Sequence, residues 1–254
     1  MSDNLTIRSA SLQASRGGQA NARSLLLLAT AASLAVWFVP YGQLLLYPLR
    51  LFVTFVHESG HALAAVLVGG SVVSLTVHPD TSGVTFTRES PLWAWFVLSG
   101  GYLGAALFGA LMLQVARIRG RRNGGRLALY IVGGAVLAIT LLWAHNPIKN
   151  GFTLAMGLFL AAVFYLAARF ASPRTADFLA SFLAVQCCMD ALIDLKDLVY
   201  ITQNNLGDSD ARFMSQQYGL PPTFWAITWA VIAILIMAIS LRAYLRATAV
   251  RRRA

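Results

Sequence analysis

Charge is what this chain has least of. Only 12% of its 254 residues are charged, against 57% that are hydrophobic, and a soluble globular domain carries roughly twice that share of charge. An ordinary water-soluble fold is therefore excluded. Cysteine is almost absent too: Cys187 and Cys188 are the only two. Neighbouring residues cannot easily meet the geometry of a disulfide, and no CxxC spacing exists for a zinc knuckle, so both a disulfide scaffold and a cysteine metal site drop out. Long stretches of strand-like alternation are missing, which removes the transmembrane β-barrel. Acidic residues number ten against twenty Lys and Arg, a net charge of +10. The cations lie in the wrong places for a nucleic-acid surface: Arg117, Arg119, Arg121, Arg122 and Arg126 fall between apolar runs, and Arg242, Arg246 and Arg251–Arg253 follow the last. No aromatic-basic platform accompanies them. Positive charge beside apolar runs is instead what cytoplasmic loops and anionic headgroups select.

What is abundant is apolar sequence in long runs. They cover Ser24–Val39, Leu51–Gly69, Leu92–Ala116, Leu127–Ala144, Phe152–Phe170, Phe178–Ile201 and Phe224–Leu241. A helix needs roughly 20 residues to cross the bilayer core, and most of these runs are long enough. The fold class expected is an all-α polytopic membrane protein of about six or seven transmembrane helices. Residues 1–23 read as a disordered polar arm, 24–247 as one membrane-embedded domain, and 248–254 as a basic tail. The first run resembles a signal peptide but continues to Val39, so it is expected to stay as an anchor.

Two stretches break the helical pattern. SVVSLTVHPDTSGVTFTR, residues 71–88, has β-type residues on both sides of a Pro-Asp-Thr-Ser-Gly turn, which predicts a short hairpin. Two strands alone are marginal in water, so the hairpin should pack against or dip between helices. In SGGYLGAALFGALML, residues 99–113, small residues recur at helical spacing, and close helix packing accounts for them. The 202–220 segment is the one long polar connection after the hairpin.

Chemistry enters at FVHESGHALAAVLVGG, residues 55–70. His57-Glu58-Ser59-Gly60-His61 is an HExxH motif. On a helix, residues four apart lie one above the other, so both imidazoles can aim at one zinc ion. Glu58 is turned about 100° from His57, within reach of a water on the metal rather than of the metal itself, the position of a general base for peptide hydrolysis. With four His and two Glu in the chain, a chance match is roughly a one in two thousand event. A solvated helix face does not explain the motif, because its flanks are FVTFV and ALAAVLV and ionisable groups at membrane depth normally face an interior site.

Two histidines leave zinc short of a ligand. Asp190, Asp194 and Asp197 fall at i, i+4 and i+7 in the Phe178–Ile201 run and share one helix face. Counting four spans between the hairpin and the 202–220 segment puts both on one side of the membrane, and the Asp-bearing helix parallel to the HExxH helix. Asp190 and Asp194 then fall at a depth similar to that of the histidines, and either could be the third ligand. His78 on the hairpin and His145 after the Leu127–Ala144 run are weaker candidates, and Asn146-Pro147 should end that run.

The stretch FVHESGHALAAVLVGG, followed by the strand-like segment and SGGYLG, resembles the site-2 protease family of intramembrane zinc metallopeptidases. The likeness is closest to a compact bacterial branch, and DALIDLKDL and Ser209-Asp210-Ala211 match that branch's later pattern; because Asp194 heads DLKDL, the resemblance makes it the expected third ligand, with Asp190 one turn away as the alternative. It covers roughly residues 50–225. It implies a zinc metalloendopeptidase that cuts membrane protein or peptide substrates within or beside the bilayer of a bacterial inner membrane, the hairpin presenting the substrate as an extended strand. The broader family's Asn-Pro…Leu-Asp-Gly motif has no counterpart here, and neither does a PDZ module. Two other readings stay open on the residues: a non-catalytic metal-binding scaffold or chaperone of the same fold, and a cation or proton transporter that uses the Asp190–Asp197 stripe. The scaffold leaves Glu58 without a purpose, and the transporter leaves HExxH unused.

Overall fold

The structure, a computed structural model, describes residues 27–33, 35–36, 39, 41–118, 123–144, 146–204 and 209–250, and the side chains of all of these but 43, 117–118, 147–149, 190–204 and 244–250. The expected polar arm, His145 and the side chains of Asp190, Asp194 and Asp197 lie outside the described residues. The chain forms two compact units, residues 1–46 and 47–254. In the first, residues 27–33 are helical and a single helical turn covers Gly42–Leu45.

The second unit opens with α1 (Tyr47–Leu67), which has Pro48 in its first turn, where the missing N–H has no helical partner to lose. It ends at Gly69, whose positive φ of 78° is a left-handed stop that glycine adopts without penalty. Strands β1 (Ser71–Val77) and β2 (Gly83–Arg88) then form the expected antiparallel hairpin, with Val77 opposite Gly83, Leu75 opposite Thr85, and a bulge between Val72 and Ser74. A 3₁₀ turn at Pro91–Trp93 leads into α2 (Ala94–Ile118), followed by α3 (Gly124–Trp143), α4 (Pro147–Phe170), α5 (Pro173–Asn204), α6 (Asp210–Tyr218) and α7 (Pro222–Val250). Pro147 starts α4, so Asn146-Pro147 separates two spans as expected. Among the described residues four helices are long and apolar enough to cross a membrane: 91–116, 124–143, 150–170 and 222–243. The expected count of six or seven is not confirmed. In α1 the polar motif itself lowers the hydropathy of the run.

The hairpin does not stand alone. It folds back along α1: the Tyr47 hydroxyl donates to the Pro79 carbonyl at 2.7 Å and the Thr54 hydroxyl to that of Thr81 at 2.8 Å. The outer edge of β1 is closed by α4. There Thr153 Oγ1 accepts from the Val77 N–H at 2.9 Å and lies 3.1 Å from the Val77 carbonyl, imitating a neighbouring strand. One turn earlier the Thr76 hydroxyl donates to Asn150 Oδ1 at 2.9 Å, where α4 kinks with Asn150 at φ −122°, ψ 26°. Leu75 and Val77 are fully buried within the main core, beside Phe52, Phe55, Leu129, Val132 and Phe164. The expectation that the hairpin packs between helices holds.

Candidate metal centre

Helices α1 and α2 cross at glycines, and that crossing sets the depth of the site. A Cβ on Gly60 would strike the Gly100 carbonyl, and one on Gly104 would come within 3.1 Å of the Gly60 Cα. The small-residue stripe at 99–113 is therefore packing, as its spacing suggests, with one exception. Gly101 faces the motif: a Cβ there would strike Nε2 of both His57 and His61. Its bareness leaves the two ring nitrogens open to a common third partner.

That partner is Asp210. His57 Nε2 and His61 Nε2 lie 3.1 Å apart, and Asp210 Oδ2 lies 3.1 Å from the first and 3.2 Å from the second. One ligand atom from each residue falls within 4.8 Å of the other two, the only such group of three among the described residues. Both histidines are buried, at 8% and 7% exposure. His61 is oriented from behind, its Nδ1–H donating to the Val97 carbonyl at 2.7 Å, which leaves Nε2 as the free lone pair. The His57 ring stands edge-on to Tyr102 at 4.5 Å between centroids, and Tyr102 stacks on Trp229 at 4.9 Å. Loss of water around Asp210 works against its charge, but the His61 and His57 rings outweigh that and hold its carboxyl well below the usual carboxylate range.

The sequence reading treated 202–220 as a polar connection and took the third ligand from the preceding helix. The structure instead has α5 running on to Asn204 and a separate helix, α6, at Asp210–Tyr218. Its start is set by Ser209, whose hydroxyl accepts from the Arg212 N–H, a cap that contributes about 1 kcal/mol. Ala211 and Met214 are buried against Ala226 and Trp229 of α7 and Leu98, Tyr102 and Leu103 of α2. At the far end the Tyr218 hydroxyl accepts from the Trp95 N–H and donates to the Pro91 carbonyl, both at 3.1 Å. Held at both ends, α6 presents Asp210, its first residue, to α1. The parity of four long helices does place α6 at the hairpin end of α2. Asp194, the expected third ligand, and Asp190 have side chains outside the described residues. His78 sits exposed at the hairpin turn, away from the cluster.

Glu58 is apart from the triangle, as a residue turned about 100° from His57 must be. It is 6% exposed and turns toward β2, where the Thr85 hydroxyl donates to its Oε2 at 2.6 Å and lies 3.1 Å from its backbone carbonyl. Gly83 passes under the same carboxylate: a Cβ there would meet Glu58 Cγ at 2.6 Å. Thr85 and Gly83 escaped the sequence reading, which took Gly101 for packing alone. Only Asp210 had left a trace there, in Ser209-Asp210-Ala211.

No curated protein and no solved structure matches the chain. The family model described as peptidase M50B-like does, over residues 26–240. That match takes in every helix that builds the cluster, from α1 to most of α7. The chain belongs to this family, the site-2 protease family, and is an integral membrane protein of the protease type.

Proposed function

We propose that the chain is an intramembrane zinc metalloendopeptidase in which His57, His61 and Asp210 hold the metal and Glu58 is the general base. The observation that carries this reading is the convergence of two buried Nε2 atoms and one carboxylate oxygen at 3.1–3.2 Å. Two nitrogens and one oxygen are a donor set suited to catalytic zinc, which takes three protein ligands and keeps a fourth position open. The space before Gly101, which any side chain would fill, fits the same purpose. When bound, zinc lowers the pKa of a water and polarises the scissile carbonyl. Glu58 supplies the rest: its carboxylate accepts the water's proton and returns it to the departing amine. Thr85 holds Glu58 Oε2 from the β2 side. Asp210 keeps its negative charge against the metal, and the Val97 carbonyl fixes the His61 tautomer.

The hairpin gives the reading a substrate geometry. Thr153 closes the β1 edge at Val77, so the Val77–Gly83 pair turns its backbone groups outward, and the alternation of an antiparallel ladder does the same at Thr85. No further strand pairs with β2 among the described residues. A membrane protein segment unwound into an extended strand can pair along this edge, beside the carboxylate that Thr85 and Gly83 contact. The substrates are membrane proteins or peptides, and the compartment a bacterial inner membrane. The test is mass-spectrometric mapping of new N termini in host membranes incubated with zinc-loaded wild type or with Glu58→Gln. New termini should appear with wild type alone, Glu58→Gln should retain zinc, and its cleavage should fall by at least about a hundredfold. Equal cleavage by the two proteins would sink the role of Glu58. Zinc in the wild type with no cleavage by either would favour the scaffold reading.

A further inference from the structure

A second feature lies at the other end of α2 from the hairpin. Between the first turns of α3 and the last turn of α4 is a cleft of about 290 Å³ lined by Asn123, Arg126, Leu127, Tyr130, Ala168 and Arg169. Two of its six lining residues are arginines, and among the described residues neither has a carboxylate partner. Arg126 spends one Nη2–H on the Ala171 carbonyl at 2.7 Å. Its Nε is buried with no hydrogen-bond partner. Arg169 rests its guanidinium 5.4 Å from the centre of the Phe170 ring. Asp177, at the start of α5, is engaged by the Gly125 N–H at 2.7 Å. A buried, unsatisfied guanidinium N–H beside a second uncompensated cation is costly unless an anion completes it.

The position of the cleft selects the anion. Arg126 is the third residue of α3 and Arg169 the last but one of α4, so both stand where a bilayer-crossing helix meets the headgroup layer. Tyr130 and Tyr165, 5.7 Å apart between ring centres, have the amphipathic character favoured at that depth. Deeper along the same two helices the outer surface is apolar, with Leu137 39% and Phe159 63% exposed. A ligand with a phosphate at one end and hydrocarbon at the other matches both parts. We infer that this cleft binds the phosphodiester headgroup of an anionic phospholipid. The Arg126 and Arg169 guanidinium groups take the phosphate oxygens, Asn123 and Tyr130 bond the glycerol or ester oxygens, and the acyl chains lie along α3 and α4. Guanidinium suits this because its planar N–H fork matches two phosphate oxygens at once.

The test is native mass spectrometry of the full-length protein in detergent, titrated with phosphatidylglycerol or phosphatidylcholine of identical acyl chains. Wild type should retain phosphatidylglycerol about tenfold more strongly than phosphatidylcholine, and Arg126→Gln with Arg169→Gln should abolish that preference while Arg242→Gln, on α7, keeps it. If the double variant does not fold, Arg169→Gln alone, at an exposed position, should cut the preference by about fivefold. Millimolar inorganic phosphate should leave the lipid bound. Equal retention of the two lipids by wild type would make the arginines a solvated cationic face and overturn the inference. An undiminished preference in the variants would place lipid binding elsewhere, and full displacement by inorganic phosphate would assign the cleft to the free ion.

Discussion

Asp210 joins two histidines from a distance of about 150 positions in the chain, and it is the residue on which the proposed metal centre turns. Removing one of three ligands leaves a pair that cannot complete a tetrahedral site. Asp210→Asn, which keeps the shape and removes the charge, should lower the zinc content of purified protein to a small fraction of one equivalent, whereas Asp194→Asn should leave it near one. Zinc retained by the first variant and lost by the second, as read by inductively coupled plasma mass spectrometry, would return the ligand to α5. Gly101 gives an independent check. Gly101→Ala sets a methyl group against both Nε2 atoms without changing any polar group. Zinc occupancy should fall as it does for His57→Ala, while the helical circular dichroism is retained, because alanine favours the helix by about 1 kcal/mol over glycine.

At the scale of elements, the hairpin and α1 act as a pair. Thr85 lies opposite Leu75 in the ladder, and its hydroxyl reaches Glu58 while its backbone belongs to the β2 edge. Thr85→Val conserves shape and strand preference and deletes only that hydroxyl. Turnover should fall about tenfold with zinc content unchanged, since a hydrogen bond to a charged group is worth about 1.5–3 kcal/mol and the bond holds orientation rather than metal. Unaltered turnover in a cleavage assay would mean that Glu58 needs no support from β2. The existence of the hairpin could be read from its β-branched residues and Pro-Asp-Thr-Ser-Gly turn. Its direction along α1 could not, because that rests on single side chains, Tyr47, Thr54, Asn150 and Thr153, meeting backbone far away in the chain.

For the whole molecule, a metal held by His57, His61 and Asp210 would tie α1 in the core to α6, which otherwise rests on α2 and α7. Chelation should therefore raise amide exchange in residues 210–218 more than in α3 or α4, read by hydrogen–deuterium exchange with and without a zinc chelator. At a free zinc concentration about a hundred times the dissociation constant, binding should stabilise the fold by about 2.7 kcal/mol. The pH dependence has a definite sign. His57 and His61 must lose their protons to become ligands, so protons compete with zinc and the apparent affinity falls as pH is lowered through the imidazole range. A zinc affinity that is flat from neutral to mildly acidic pH would argue against histidine ligation.

The sequence by itself determined the membrane character, the long apolar helices, the hairpin and the HExxH pair. Each of these is local: hydropathy over about twenty residues, alternation over six, or two histidines four apart on one helical face. Even the glycines of α2 could be read as a packing stripe. Only the tertiary structure decided which of them faces the imidazoles, which threonine holds Glu58, and which aspartate completes the cluster. The Asp190–Asp197 stripe drew attention because carboxylates inside an apolar run are expensive, whereas Asp210 sits in a polar segment where an acid is unremarkable. What distinguishes Asp210 is that Ser209 caps a short helix and Met214 and Tyr218 anchor it against α2 and α7, so that one carboxylate is carried to a histidine pair fixed elsewhere. That placement is a property of packing between distant segments, and no local pattern encodes it.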